Sequence, residues 1–307
     1  MSPSPRITIG PASAPRSIRE AVVAGGGELV DPDRAEGVIW VSPMDVDGLR
    51  AFLAQAPNAR WVQLPYAGVE TFAAAGVLTA DLTWTAAKGV YAEPVAEHAL
   101  ALALACLRQL PTYARATGWG RQAGRNLYDA RVTVLGGGGI TEALLPLLAP
   151  FRCEVTVVRR SDQPMAGAAR TLVPSGLPEA LSGADVVVLA LALTPQTTGI
   201  IDGEALAAMP DHGVVVNVAR GGHIVTDDLV AALLAGTIGG AGLDVTDPEP
   251  LPDGHPLWAA PNCIITPHTG NTPAMAAPLL ARRIAENVRR FGAGEPLIGV
   301  VDPEHGY

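Results

Sequence analysis

The sequence RVTVLGGGGITEALL, residues 131–145, contains three parts in succession. They are a β-rich pentapeptide, four consecutive glycines and the start of an apolar helix. Gly136 and Gly138 allow a tight turn and let backbone N–H groups approach a bound group closely. The N-terminus of the following helix, at Gly139 and Ile140, adds partial positive charge that suits a pyrophosphate. The segment therefore predicts the strand, loop and helix that open a dinucleotide-binding, doubly wound parallel sheet.

Two residues in this segment depart from the usual glycine pattern. Thr141 stands where a third glycine normally permits close packing of helix on strand. Either the helix lies slightly further out, or the hydroxyl fills a small gap. Pro146 removes one backbone donor inside the helix. A distorted loop that binds a dinucleotide poorly is therefore one alternative, and a plain flexible turn is another.

Apolar runs alternate with helical stretches on both sides of the glycines. Strands are predicted at 7–10, 37–41, 60–64 and 82–85, and then at 132–135, 154–158, 185–190, 213–218, 240–245 and 263–266. Helices are predicted at 18–24, 46–55, 69–75 and 94–117, and then at 141–148, 203–209, 227–235 and 274–291. This rhythm indicates an α/β protein with two parallel sheets and helical crossovers.

The composition limits the class of protein. A chain of 307 residues is expected to form two domains of ~150 residues each. The net charge of −9 argues against a nucleic-acid or anionic-membrane partner. No secretory signal is visible at 1–9, and the longest apolar run, 99–107, is about half of the ~20 residues that span a bilayer. Three scattered cysteines indicate neither disulfides nor a metal site, and we expect a cytoplasmic protein.

Three short motifs in the second half of the chain supply an arginine, a glutamate and a histidine. They are NVARG at 217–221, LDVTDPEPL at 243–251 and TPHTG at 266–270. Arg220 can present a planar fork to the carboxylate and carbonyl oxygens of a 2-oxo acid. His268 can donate a proton to the carbonyl oxygen as hydride arrives, and Glu249 would orient that ring. A salt bridge for Arg220 and a solvated acid for Glu249 are the plainer alternatives.

The end of the second strand of this sheet predicts the choice of nicotinamide cofactor. A site for NAD usually has an acid about 20 residues beyond the glycines, where it binds the ribose 2′-hydroxyl. This chain has Arg159, Arg160 and Ser161 instead, which suit a 2′-phosphate. NADP(H) is therefore favoured. NAD(H) stays possible, because Asp162 follows directly and the arginines are also compatible with a solvated loop.

Together these motifs resemble the D-isomer-specific 2-hydroxyacid dehydrogenase family over nearly the whole chain. The resemblance implies hydride transfer between NAD(P)H and a small 2-oxo or 2-hydroxy acid, of the glyoxylate/hydroxypyruvate reductase type. It also implies two Rossmann-like domains, with a dinucleotide-binding domain at 97–272 inserted into a substrate-binding domain at 1–96 and 273–307. A homodimer joined through the cofactor domain is expected on the same ground.

The resemblance assigns roles residue by residue. The catalytic set would be Arg220, Glu249 and His268, and Asp244 would contact the nicotinamide carboxamide. The other cofactor-binding positions would include Ala190, Leu191, Thr197, Val218, Ala219, His268 and Gly270. The substrate would be bound by backbone groups of the loop Tyr66, Ala67 and Gly68 together with Arg220 and His268. Lys88 either attracts an anion or is solvated. The remaining histidines are expected to be structural or solvated, with His223 facing solvent; they are His98, His212, His223, His255 and His305.

One departure bears on the substrate. Phosphoglycerate-oxidising members of the resembling family usually have an arginine where Val41 stands here, so glyoxylate or hydroxypyruvate fits better than a phosphorylated acid. A phosphoglycerate dehydrogenase-like enzyme remains an alternative, as does a non-catalytic NAD(P)-sensing protein on the same fold. Formate-oxidising members typically have glutamine in place of the glutamate, and Glu249 therefore argues against that activity.

Overall fold

The computed structural model describes residues 4–302, which divide into two compact units. Of the described residues, 4–91 and 272–302 form the outer unit, and Ala92–Asn271 form the inserted unit. One unit is thus inserted into the sequence of the other. The predicted boundary at residue 96 would cut a helix that lies wholly within the inserted unit. His305 lies outside the described residues.

The elements of the two units are numbered together along the chain. The strands are β1 (Arg6–Gly10), β2 (Glu28–Leu29), β3 (Gly37–Trp40), β4 (Trp61–Gln63), β5 (Thr83–Thr85), β6 (Arg131–Leu135), β7 (Glu154–Val158), β8 (Arg170–Leu172), β9 (Val186–Leu189), β10 (Val214–Asn217), β11 (Gly240–Leu243) and β12 (Cys263–Ile265). The helices are α1 (Arg16–Ala24), α2 (Val46–Leu53), α3 (Glu70–Ala74), α4 (Ala92–Leu107), α5 (Leu110–Ala114), α6 (Gly139–Leu148), α7 (Leu177–Leu181), α8 (Gly203–Ala207), α9 (Thr226–Ala235) and α10 (Pro273–Ala293).

The inserted unit is built on a parallel sheet in the order β12-β11-β10-β9-β6-β7-β8. Valine-rich strands such as β9 and β10 are buried along their whole length. This is expected when helices cover both faces of a parallel sheet. Separate apolar clusters pack on the two faces. The strand order changes direction at β6, and open sheets of this kind bind ligands at such a switch point. The loop from β6 to α6 holds the four glycines.

The outer unit has its own parallel sheet, in the order β2-β1-β3-β4-β5. Helices α1 and α10 pack together on one of its faces, where Ile7, Ile39 and Trp61 of the sheet meet Ile284 and Val288. A second apolar cluster forms around Trp40, Val62 and Trp84. The last helix of the chain therefore belongs to the same core as the first strand.

The prediction of one continuous helix at 94–117 is wrong. Helix α4 ends at Leu107 and α5 covers only Leu110–Ala114. Between them Gln109 adopts a left-handed conformation, with φ 56°, which interrupts the α-helical hydrogen bonding. Pro111 lies in the first turn of α5, where its missing N–H is tolerated. Residues 116–126 are exposed and form no helix.

Three short elements were not predicted. Strands β2 and β8 have two and three residues; β2 is exposed, and β8 is partly exposed. Helix α7 has five residues and begins with a proline in its first turn. None is long enough to show an apolar period, which is the main signal in a sequence. Within the described residues, no helix combines the length and the apolar character needed to cross a membrane.

Candidate active site

The inserted sheet brings most of the predicted site residues to one edge. Pairing in register joins Leu135 to Val158 and Leu189, Asn217 to Leu189 and Leu243, and Leu243 to Ile265. Since these strands are parallel, the segments that follow them leave the sheet side by side; we call this the carboxyl edge. The predicted residues found there are Gly136, Gly138, Gly139, Ile140, Arg159, Arg160, Ser161, Ala190, Leu191, Val218, Ala219, Arg220, Asp244, His268 and Gly270. The side chains of Val218 and Ala219 are buried in the core, so these two residues present backbone groups at the edge.

The glycine loop leaves room for a bound group. Gly136 has φ 109°, and a Cβ there would collide with the carbonyl oxygen of Ala190. Gly138 is the N-cap of α6, and the space where its Cβ would be is open to at least 4 Å. An open helix N-terminus with exposed backbone donors fits the pyrophosphate of a dinucleotide.

Thr141 fills the position of the missing glycine. Its side chain is fully buried, and its Oγ1 donates a hydrogen bond to the carbonyl oxygen of Gly136 at 2.9 Å. The sequence allowed either a helix that lies further out or a hydroxyl that fills a small gap, and the structure shows the second. It ties the first turn of α6 to the start of the glycine loop.

We expect Thr141→Val to weaken cofactor binding severalfold and to lower the free energy of unfolding by about 1 kcal/mol, because the hydrogen bond to Gly136 is lost. Calorimetric titration with NADPH and urea unfolding measure the two effects. Thr141→Ser keeps the hydroxyl and serves as the control. Equal NADPH affinity in the valine variant and the wild type would show that this bond does not support the loop.

Arg159 lies against the glycine loop. A Cβ added to Gly137 would be 2.5 Å from Cδ of Arg159 and 3.3 Å from one of its guanidinium nitrogens. The Nε–H group donates to the carbonyl oxygen of Ser161 at 3.2 Å. Arg160 and Ser161 are exposed. The end of β7 therefore places a guanidinium beside the loop, where it suits a phosphate group.

The segment after β9 forms a closed turn. The hydroxyl of Thr197 accepts from the backbone N–H of Thr194 and donates to the carbonyl oxygen of Ala192, each at 2.8 Å. Leu191 is half-buried against the core. The hydroxyl of Thr197, a predicted cofactor contact, is thus engaged in shaping its own turn.

Arg220 is carried on a turn that is held from several directions. Asn217, fully buried at the end of β10, donates from Nδ2 to the carbonyl oxygen of Arg220 at 2.9 Å and accepts from the N–H of Ala219 at 3.0 Å. A Cβ on Gly221 would collide with the backbone of Thr246. The guanidinium donates to the carbonyl oxygen of Ala219 at 2.7 Å. The backbone that presents Arg220 is therefore fixed before any substrate binds.

The prediction that His223 faces solvent is wrong. Its side chain is fully buried, and its Nδ1 lies 2.9 Å from the carbonyl oxygen of Arg220. Burial lowers the pKa of this imidazole, which keeps it neutral. Because a neutral imidazole can donate from one nitrogen, His223 can bind the same carbonyl oxygen that accepts from Asn217. Sequence reasoning missed both residues.

His268 and Glu249 form the contact that was predicted between them. Nδ1 of His268 lies 2.7 Å from Oε1 of Glu249, and the side chains are 54% and 41% exposed. A carboxylate only accepts hydrogen bonds, so Nδ1 carries the hydrogen. Nε2 is then the nitrogen available to a substrate, as in other histidine acid–base pairs.

The turn that carries His268 is anchored on Asp244. The carboxylate of this residue, 4% exposed, accepts from the backbone N–H groups of Thr269 at 2.8 Å and Gly270 at 2.9 Å. Burial raises the pKa of Asp244, but hydrogen bonds from His98, Thr266 and these two N–H groups outweigh it and hold the pKa at about 2. A Cβ at Gly270 would be 2.9 Å from Oδ2 of Asp244. Asp244 therefore holds the histidine turn as an ionised carboxylate.

The remaining predicted substrate residues lie in the outer unit. Tyr66, Ala67 and Gly68 follow β4 at the carboxyl end of that unit's sheet. The carbonyl oxygen of Tyr66 accepts from the N–H of Ala87 at 2.9 Å. Nζ of Lys88 donates to the carbonyl oxygen of Val300 at 2.9 Å.

Residues 100–270 match the sequence profile of the D-isomer specific 2-hydroxyacid dehydrogenase, NAD binding domain. Glyoxylate/hydroxypyruvate reductase A of Klebsiella pneumoniae (strain 342) is 38% identical over 177 residues, which cover 57% of this chain and 56% of that protein. In that alignment the chain spans about half the length of the curated relative.

Two solved structures are similar over essentially the full length. A D-isomer specific 2-hydroxyacid dehydrogenase from Xanthobacter autotrophicus Py2, in complex with NADPH and MES, has a TM-score of 0.83 and 30% identity, covering 99% of this chain and 100% of that one. An NADPH-dependent glyoxylate/hydroxypyruvate reductase from Sinorhizobium meliloti, in complex with NADP and sulfate, has a TM-score of 0.79 and 27% identity, with the same coverage.

Proposed function

The chain belongs to the D-isomer specific 2-hydroxyacid dehydrogenase family, and from this premise we propose that it reduces a small 2-oxo acid, glyoxylate or hydroxypyruvate, with NADPH. At the level of the family it is an NAD(P)-dependent oxidoreductase that interconverts 2-oxo and 2-hydroxy acids. The observation that carries the proposal is the 2.7 Å contact between His268 and Glu249, at the same sheet edge as Arg220 and the glycine loop.

In the proposed mechanism, Arg220, His268 and Glu249 each have one role. NAD(P)H, when bound, supplies a hydride to C2 of the 2-oxo acid. Arg220 binds the carboxylate of the substrate and polarises its carbonyl group. His268 donates the proton from Nε2 to the carbonyl oxygen, and this completes the hydroxyl group. Glu249 stays hydrogen-bonded at Nδ1, which orients the ring and stabilises its positive charge. In the reverse direction His268 accepts the proton.

The cofactor is proposed to lie along the carboxyl edge. Gly136, Gly138 and the N-terminus of α6 would hold the pyrophosphate, and Arg159, Arg160 and Ser161 would hold the 2′-phosphate. Asp244 is retained as a candidate contact of the carboxamide, although its carboxylate already accepts hydrogen bonds from Thr266, Thr269 and Gly270. The other proposed cofactor contacts are Gly139, Ile140, Ala190, Leu191, Thr197, Val218, Ala219, His268 and Gly270.

Arg159→Ala is expected to lower the ratio of kcat/KM for NADPH to kcat/KM for NADH at least tenfold, because a charge-assisted contact to phosphate contributes roughly 1.5–3 kcal/mol. Steady-state rates with each cofactor at a saturating 2-oxo acid give the ratio. Arg152→Ala is the matched control, since Arg152 follows a different turn and pairs with Asp129 at 2.8 Å. An unchanged ratio in the Arg159 variant would remove the assignment of the 2′-phosphate to this arginine.

A small, unphosphorylated acid is proposed as the substrate. Val41 occupies the place where the phosphoglycerate-oxidising relatives have an arginine, and backbone groups of Tyr66, Ala67 and Gly68 are proposed to bind the substrate carboxylate. The names of the Klebsiella and Sinorhizobium relatives point to the same acids. The test is kcat/KM with NADPH for glyoxylate, hydroxypyruvate, pyruvate and phosphohydroxypyruvate. Strong preference for phosphohydroxypyruvate would refute the substrate proposal.

We further propose that the protein is a homodimer joined through the inserted unit. Helix α5 and the irregular segment after it expose several large apolar side chains, among them Tyr113, Tyr128 and Trp119, the last 99% exposed. A second copy of the chain would cover such side chains. Light scattering after size exclusion should give twice the 31.6 kDa of one chain. A mass of one chain would contradict the proposal.

The proposed location is the cytoplasm. Cys106 and Cys263 are free, fully buried thiols, and burial raises the pKa of each to about 12. Unpaired thiols are typical of proteins that work in a reducing compartment. Cell fractionation with a specific antibody tests this location directly.

A further inference from the structure

We propose that His98 is a positioning residue, which acts through Thr266 and Asp244 to hold the turn that carries His268. The inference rests on the proposed function for its catalytic meaning. His98 was expected to be structural or solvated, and nothing in its sequence surroundings connects it with TPHTG, 168 positions further along the chain.

The contacts form a continuous line from helix α4 to the histidine turn. Nε2 of His98 lies 2.9 Å from Oγ1 of Thr266 and 3.3 Å from Oδ1 of Asp244. Oγ1 of Thr266 lies 2.6 Å from the same carboxylate oxygen. The side chain of His98 is 22% exposed and that of Asp244 4% exposed, so water competes little for these bonds.

The direction of each hydrogen bond follows from the charge of Asp244. With a pKa of about 2, its carboxylate is ionised near neutral pH and only accepts. The single hydroxyl hydrogen of Thr266 therefore points to Asp244. The oxygen of Thr266 is left as an acceptor, so the hydrogen between it and His98 belongs to Nε2. The line thus runs from His98 to Thr266 to Asp244, with His98 as the first donor.

Asp244 also binds the backbone of the turn that carries His268. Its carboxylate accepts from the N–H groups of Thr269 and Gly270, and its carbonyl oxygen accepts from the N–H of His268 at 2.9 Å. His268 has φ 53°, a left-handed conformation that persists only when its surroundings enforce it. Asp244 enforces this conformation with both its carboxylate and its carbonyl oxygen. Loss of the hydrogen-bond donor at His98 should therefore let the carboxylate shift, and the turn that it holds should shift with it.

The glycine in TPHTG leaves room for this arrangement. A Cβ at Gly270 would be 2.9 Å from Oδ2 of Asp244 and 3.6 Å from Cδ2 of His98. The imidazole and the carboxylate thus both pack against the backbone of the turn. His98 contributes shape as well as a hydrogen bond.

The test replaces His98 by methionine, which fills the space without a donor, and by glutamine, whose amide can place an N–H near the position of Nε2. We expect His98→Met to lower kcat about tenfold or more, with the KM for NADPH changed less than threefold. Such a loss is in line with a small displacement of an acid–base group. His98→Gln should restore most of kcat. Thr266→Val interrupts the same line and should match His98→Met.

His212 provides the matched control. It also pairs with a carboxylate, Asp185, at 2.9 Å and is 28% exposed, but it lies just before β10, at the opposite end of the sheet. His212→Met should leave kcat within twofold of the wild type. Equal losses in His98→Met and His212→Met, or no recovery in His98→Gln, would overturn the inference.

Amide hydrogen exchange gives a readout that needs no turnover. The N–H groups of Thr269 and Gly270 should exchange faster in His98→Met than in the wild type, and at the wild-type rate in His212→Met. Faster exchange in a protein whose wild type reduces no 2-oxo acid would support the positioning role and refute the proposed function. Unchanged exchange in His98→Met, together with normal turnover in the wild type, would refute the positioning role and support the proposed function. Should His98→Met fail to fold, Thr266→Val measured against Thr266→Ser decides the same question.

Discussion

His268→Gln is expected to lower kcat for the reduction of a 2-oxo acid by about 10²–10⁴-fold, the usual contribution of a positioned acid–base group. Glutamine keeps the approximate size of the side chain and can still hydrogen-bond to Glu249, but it cannot donate a proton to a developing alkoxide. His268 is only one of the proposed cofactor contacts, and the glycine loop follows a different strand, so the affinity for NADPH should change much less than kcat. The loss should therefore fall on kcat.

Stopped-flow and steady-state rates with NADPH measure this loss, and calorimetry measures cofactor binding in the same variant. His255→Gln is the control, because His255 merely accepts a hydrogen bond from the N–H of Leu257 at 3.2 Å and should be silent. A His268→Gln enzyme with more than a tenth of the wild-type kcat would mean that another group donates the proton.

Arg220→Lys is expected to lower kcat/KM for the 2-oxo acid about 100-fold. Lysine keeps the charge but loses the planar fork that can bind the carboxylate and carbonyl oxygens at once. Most of the loss should come from a raised KM, because the carboxylate is bound in the ground state as well as in the transition state. The fixed backbone at Asn217 and His223 should keep the turn in place in the variant.

Initial rates over a wide range of 2-oxo acid concentrations separate KM from kcat. Arg115→Lys is the matched control, since Arg115 donates to the carbonyl oxygens of Cys263 and Ala260 at the start of β12, away from the carboxyl edge. If Arg220→Lys and Arg115→Lys behaved alike, Arg220 would have no special part in binding the acid.

The sequence predicted the inserted sheet and the pairing of His268 with Glu249, since each depends on local signals. An apolar run followed by glycines or prolines marks the end of a strand, and parallel strands bring such ends to one edge. The break at Gln109 was marked only by Pro111, and the apolar pattern of α4, which runs on toward it, outweighed that signal in the prediction. The short edge strands β2 and β8 had no pattern at all.

The residues that hold the site in place could not be predicted from the sequence, for a different reason. His98 and Thr266 are 168 positions apart, and His223 acts through the backbone of Arg220 rather than through a motif of its own. Burial also decides their chemistry, and burial depends on the whole fold. Thr141 is the intermediate case, where the sequence defined two possibilities and the contact with Gly136 selected one.

The measurement that tests the central claim most directly is the initial rate of NADPH and NADH oxidation, side by side, with a mixture of glyoxylate, hydroxypyruvate and pyruvate. We predict turnover with both cofactors or with NADPH alone, and a higher kcat/KM for NADPH. Faster turnover with NADH would contradict the role given to Arg159 and Arg160. Absence of turnover with either cofactor, in a protein that binds NADPH, would contradict the assignment as a reductase and favour a nucleotide-sensing protein.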